Sequence, residues 1–162
     1  MEALNPGMTV TLDDTSRFAA FGQQLIEVHD WLREELARLR ADAAAGIQPK
    51  KLQAHCLSFC AAVTRHHTGE DAGAFPALAQ QFPELKPVLQ ELANDHGLVT
   101  MMLQRLEQLD FSDPVAAVRE LNGIEAIIES HFTYEERKIV QALDQLDNPE
   151  WTDRRPEFLR SD

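Results

Sequence analysis

Basic residues are scarce. Fifteen lysines and arginines face 27 acids, a net charge of −12, which excludes a nucleic-acid surface built on clustered cations and disfavours an anionic membrane. No apolar run approaches the length of a membrane span, and MEALNPGMTV has no basic start followed by an apolar stretch. The expected location is the cytoplasm. The only two cysteines, Cys56 and Cys60, stand four apart. That is not zinc-finger spacing and makes a poor disulfide on a helix, so they read as small buried apolar residues. A chain of 162 residues, 44% hydrophobic, needs no such staple to fold as one domain.

What is present is helical periodicity. Asp13 or Asp14 can cap a first helix running to the alanines before Gly46, and Pro49 suits the first turn of a second. That helix must kink or end at Phe75 and Pro76; Phe82 and Pro83 mark the next turn, and a third helix leads to Leu109. Ser112 or Asp113 caps a fourth, with Pro114 in its first turn and Asn148 and Pro149 closing it. Residues 147–162, with Trp151 and Phe158, read as a tail. Four long helices with short turns predict an all-α, up-down-up-down four-helix bundle over about residues 14–146, within a single domain.

A histidine interrupts each apolar stripe. The first runs Phe18, Gly22, Leu25, His29, Leu32, Leu36, Leu39; the second Leu52, His55, Phe59, Ala62, His66, Glu70, Gly73. The third is Leu85, Leu89, Leu92, His96, Val99, Leu103, Leu106, and the fourth Leu121, Ile124, Ile128, His131, Glu135, Ala142, Leu146. One histidine on an apolar face is usually a hydrogen-bonded core residue. Four are harder to explain that way, because counting from shared turns puts them at similar depth. His29 and His66 lie 17 and 20 residues from Gly46, and His96 and His131 lie 16 and 19 from Ser112. At about 1.5 Å per residue the mismatches come to a few ångströms.

The spacing HxxxE occurs twice, in HHTGED and HFTYEE, and places imidazole and carboxylate on one helix face, about 6 Å apart along the axis. A buried carboxylate needs a compensating cation. Two of them can each span two ions while imidazoles fill the remaining positions, and a nitrogen and oxygen donor set without thiolate suits iron or manganese, with zinc possible. A metal-free bundle using the same groups as a buried polar network is the structural alternative.

The ordered set of VHDWL, HHTGEDAGAFP, NDHGL and HFTYEE resembles the hemerythrin-like, or HHE, family over about residues 15–146. ExxH pairs of ferritin-like proteins and the HExxH of zinc proteases are absent. The resemblance implies a non-haem di-iron carboxylate centre of two iron ions held by His29, His66, Glu70, His96, His131 and Glu135. It also implies binding of O2 or a related ligand such as nitric oxide or peroxide, as carrier, sensor or store. Oxygen-carrying relatives bring two histidines from the third helix, whereas Leu92 and Thr100 flank His96 here. One iron is then short of an imidazole, which favours the alternative of an oxidoreductase acting on hydrogen peroxide or activating O2. His67 can fill the gap as some hemerythrin-like domains do, or, about 100° off the stripe, stand beside the ligands or on the surface.

Around these, Asp71 and Glu136 are expected to be solvated partners of the ligands. Tyr134 is open between packing and a bond to a ligand or the metal, and His55 is too far along its helix to join them. Gly22, Gly69, Gly73, Gly97 and Gly123 fall inside predicted helices, read either as close helix packing or as room for a small molecule beside the metals. No surface stands out as an interface, so the oligomeric state is left open.

Overall fold

A computed structural model describes residues 12–144, with side-chain environments over 21–139. Its long elements are α1 (Leu12–Ala44), α2 (Pro49–Gly69), α3 (Phe75–Gln81), α4 (Lys86–Glu107) and α5 (Pro114–Asp144). A π turn, Glu70–Ala74, joins α2 to α3, and a 3-10 turn, Pro83–Leu85, leads into α4. Helix α1 packs on α2 and α5, and α4 packs on the same two. With α2 and α3 forming one continuous rod, this is a four-helix bundle whose sequential neighbours run antiparallel, because only short turns join them. The closure at Asn148 and Pro149 and the tail from 147, with Trp151 and Phe158, lie outside the described residues.

Local chemistry fixes most boundaries. The first helix begins at Leu12, just ahead of Asp13 and Asp14. It ends in a Schellman turn: Gly46 adopts φ 70°, Ile47 N–H donates to Asp42 O at 3.1 Å and Gly46 N–H to Ala43 O at 3.2 Å. Pro49 occupies the first turn of α2. Phe82, at φ −130° and ψ 80°, breaks the helix before Pro83. Asp113, not Ser112, caps α5, accepting the Ala116 N–H at 3.2 Å.

The expected kink or end at Phe75 and Pro76 takes another form. The helical path continues to Gln81. In a regular α ladder Pro76 would press on the carbonyl four residues back, that of Ala72. The π turn, closed by Phe75 N–H bonding back to Glu70 O, takes the chain out of α register just before the proline. It opens on Glu70, itself buried.

The core is divided. One cluster spans Leu32, Leu36, Leu39, Phe59, Val63, Val99, Leu103, Ile124, Ile128, Phe132 and their neighbours toward the α1–α2 and α4–α5 turns. The other gathers Leu25, Phe75, Leu78, Phe82, Leu85, Leu89, Leu92 and Ile139 toward the opposite end. Buried polar residues separate them. Cys56 and Cys60 are free and buried, their thiols turned to the carbonyls of Leu106 and Leu103 at 3.7 and 3.8 Å.

Neither reading of the helical glycines holds for Gly69, Gly73, Gly97 and Gly123. A Cβ added at any of them meets nothing within 4 Å, so they serve neither close packing nor space beside the buried site. Gly123→Ala should therefore stabilise the bundle by about 1 kcal/mol through helix propensity alone, a rise of roughly 2–4 °C in Tm. An unchanged or lower melting temperature would count against an open position there.

Candidate metal centre

The buried polar residues between the two clusters are His29, His67, Glu70, His96, His131 and Glu135, each at most 4% exposed, with His66 beside them. Ligand-type atoms fall into two groups, each within 4.8 Å internally: His67, His96 and His131 in one; His29, His66, Glu70 and Glu135 in the other. The carboxylates face both. Glu70 puts Oε1 3.2 Å from His96 Nε2 and Oε2 3.6 Å from His66 Nε2. Glu135 Oε2 stands 3.5 Å from His131 Nε2 and 3.8 Å from His29 Nε2.

His67 is not off the stripe. The buried row of α2 runs Leu52, Cys56, Phe59 and Cys60, Val63, His67 and Glu70. The inward face is wide enough to hold His66 on one flank and His67 on the other. Stacked on His96 at 3.8 Å and edge-on to His131 at 5.1 Å, His67 joins these two in one donor group. The spacing Cys56, Cys60, Val63, His67 carries this signal in the sequence.

Burial sets the protonation of the metal-free site. It raises Glu70 to about 7 from an ordinary 4.5. Glu135 is pushed well above the usual range, first by burial and then by the Glu70 carboxylate beside it. Burial, reinforced by neighbouring imidazoles, lowers His66 to about 3 and His131 to about 4, and His67 further still. The imidazoles of His66, His67 and His131 are thus neutral near pH 7, with lone pairs available.

The donor set fits metal ions. Among the described residues seven buried side-chain atoms have no hydrogen-bond partner of good geometry: Nε2 of His67, His96 and His131, and both carboxylate oxygens of Glu70 and Glu135. Each such atom in a dry interior costs about 1–3 kcal/mol, and all seven point at the shared space. Cations satisfy them together. A family description, the hemerythrin HHE cation-binding domain, matches residues 22–143. The chain belongs to that family. No curated protein and no solved structure matches it significantly.

In this HHE domain acids next to the presumed ligands work across helix seams. Asp71 of the π turn meets His96 Nδ1 at 2.8 Å, Asp95 of α4 meets His131 Nδ1 at 3.4 Å, and Glu136 of α5 meets His29 Nδ1 at 2.7 Å. A residue one step from an inward-facing one points about 100° round the helix, into the seam with its neighbour. Sequence reasoning missed Asp95, although its adjacency to His96 carries the same signal as Asp71 and Glu136. The α1–α2 seam differs: among the described residues His66 meets no acid of α1, and Asp30, next to His29, pairs with Arg33 at 3.0 Å on the α5 side.

Tyr134 is not directed at the site; its hydroxyl donates to Glu91. His55 lies 3.8 Å from Glu35, away from the seven. Among the described residues no helix is long and apolar enough to cross a membrane.

Proposed function

We propose that this HHE domain is a cytoplasmic non-haem di-iron protein that binds O2 or a related small ligand, nitric oxide or peroxide, as carrier, sensor or store. The observation carrying this reading is the set of seven unpartnered buried atoms, confined to the histidines and glutamates of one layer. A metal-free polar network would pair its members fully, and here three imidazole nitrogens and the oxygens of two buried carboxyls converge without partners of good geometry. Nitrogen and oxygen donors without thiolate suit iron or manganese, with zinc possible, and the family resemblance selects iron among them. Two unpaired cysteines accord with a reducing compartment.

In this reading His29 and His66 would hold one ion and His67, His96 and His131 the other, with Glu70 and Glu135 as carboxylate ligands placed between the two groups. An iron pair supplies one-electron redox chemistry and affinity for small ligands. The chain's own part is to hold neutral imidazoles and carboxylates at fixed positions, and to exclude water. Phe132 on one side and Phe75 on the other cover the faces of His29 and His96 at 3.8 and 5.6 Å.

The case for an oxidoreductase rested on a missing imidazole. With His67 against His96 and His131 the count reaches five, which favours binding over turnover. Iron-loaded protein should contain about two ions per chain, change its absorption on exposure to O2 and recover when O2 is withdrawn. Catalytic loss of peroxide, or accumulation of oxidised product, would replace the binding reading with the enzymatic one. His67→Ala should lower iron content, while His55→Ala leaves it unchanged. Equal losses from both would break the assignment of the layer.

A further inference from the structure

Arg33 lies one helical turn beyond His29 and sends three nitrogens to three acids. Nη1 meets Asp30 at 3.0 Å, Nε meets Glu129 at 2.8 Å and Nη2 meets Glu136 Oε2 at 2.9 Å. The same Glu136 oxygen accepts from His29 Nδ1 at 2.7 Å, so it is held from two sides. Because a guanidinium is a rigid planar fork, fixing two of its arms fixes the third. Glu129 and Glu136 lie two turns apart on α5, which locks the fork across the α1–α5 seam.

The face of the imidazole is held as well. His29 stacks on Phe132 with centroids 3.8 Å apart and planes 5° from parallel, and the Arg33 guanidinium sits 5.4 Å from that phenyl ring. His96 is stacked too, on His67 and Phe75, but among the described residues only His29 has its anchoring acid held in turn by a guanidinium. Asp71 and Asp95, which anchor His96 and His131, are 43% and 47% exposed and have no lysine or arginine partner among the described residues. Among the described residues the only acid beside His66 is Glu70, 3.6 Å from its Nε2, and that nitrogen also lies 3.1 Å from Nε2 of His29.

We infer that Arg33 is a positioning residue of the metal layer, holding Glu136 on His29 Nδ1 so that His29 is locked with Nε2 toward the ions while His66 beside it stays adjustable. A carboxylate on Nδ1 requires the proton there, which leaves the Nε2 lone pair for the site. Without the fork, Glu136 is free to turn to solvent and His29 loses both its tautomer preference and its ring orientation. The two histidines of this group then become equally loose.

This rests on the di-metal reading, and two readouts separate them. In metal-free Arg33→Met, nitrogen-15 NMR of the imidazoles should show His29 shifting from a single Nδ1–H tautomer to a mixture, with the helical signal and melting temperature near those of the parent. In anaerobic competition of Fe(II) against a chromophoric chelator, one ion should bind about tenfold more weakly, the lower end for loss of such an outer partner, and the other unchanged. Arg33→Lys, which keeps the charge but cannot hold three acids in one plane, should recover only part of the loss; full recovery would overturn the fork argument. Arg38→Met, on the same helix and paired among the described residues with Glu35 at 2.6 Å, should alter neither readout. An unchanged His29 tautomer with unchanged affinity in Arg33→Met, or an equal effect from Arg38→Met, overturns the inference while leaving the metal centre standing. A parent chain that takes up no metal sinks the di-metal reading instead, and the NMR of the metal-free protein still tests Arg33.

Discussion

Glu70→Gln should lose the capacity for two ions and yet be more stable than the parent when both are metal-free, by about 3 kcal/mol at pH 8. The carboxyl of Glu70 is buried and its pKa stands at about 7 in the folded chain against 4.5 ordinarily. A pKa raised by folding means that the neutral acid suits the native site. Its contribution is fully present below pH 4.5 and is lost as pH rises through 7, leaving an ionised carboxylate in a dry layer. An amide keeps the shape without the charge, and its N–H can donate toward the Nε2 of His96, which Glu70 Oε1 approaches to 3.2 Å. For a domain of this size the gain amounts to roughly 6–12 °C in Tm, shrinking to nothing by pH 4.5. Thermal melts in excess chelator at pH 4.5 and pH 8 decide it. A glutamine variant no more stable than the parent at pH 8 would show that the carboxyl has found compensation elsewhere. Glu135→Ala, by contrast, should lose metal and stability together, since it also opens a cavity among fully buried neighbours.

That a charged layer of this kind exists was legible because three of the four stripes are strictly periodic. Leu25, His29, Leu32, Leu36 and Leu39 are buried as read, as are Leu85 through Leu106 and Leu121 through Glu135. Equal counting from short turns then brought the histidines to one height. In α2 the reading centred on His55, Phe59, Ala62 and His66, one residue to the side of Cys56, Cys60, Val63 and His67. Both rows lie within a face about 100° wide; Cys56 and Cys60, read as small buried apolar residues and found buried, stand in the row that the stripe drawn through Phe59 and Ala62 left out. The π turn was not legible, because a proline inside a helical pattern announces disruption without saying which one the neighbouring helices will permit. Arg33 was out of reach for a related reason. Its role depends on α5 presenting Glu129 and Glu136 across a seam, and only the packed bundle sets that register.

The cross-seam acids tie the layer to the bundle through groups that face away from the shared space. Each of three seams carries one imidazole-to-carboxylate contact linking consecutive rods, and the dry clusters above and below keep water from competing. The outer nitrogens of His29, His96 and His131 are thereby satisfied, and the inner Nε2 atoms of His67, His96 and His131 are not. The cost of the site is concentrated at its centre, where the buried carboxyls of Glu70 and Glu135 lie side by side and burial holds both above the ordinary range.

Stripping the metal should accordingly produce the largest change of all. With free metal at a thousand times Kd each ion contributes about 4 kcal/mol, so two contribute about 8, and chelation should lower Tm by roughly 15–30 °C. The size of that drop should depend on pH in a defined direction. At pH 6 an ion must displace the proton held by Glu70, whereas at pH 8 the carboxylate is already ionised and the metal-free form is already penalised. Both effects act the same way, so the gap between loaded and stripped protein widens from pH 6 to pH 8. His66 and His131, at about 3 and 4, are neutral throughout that window and add no slope of their own. Melting curves with and without Fe(II) under anaerobic conditions at the two pH values measure the gap. A gap that narrows as pH rises would mean that the carboxylates are not what the ions relieve.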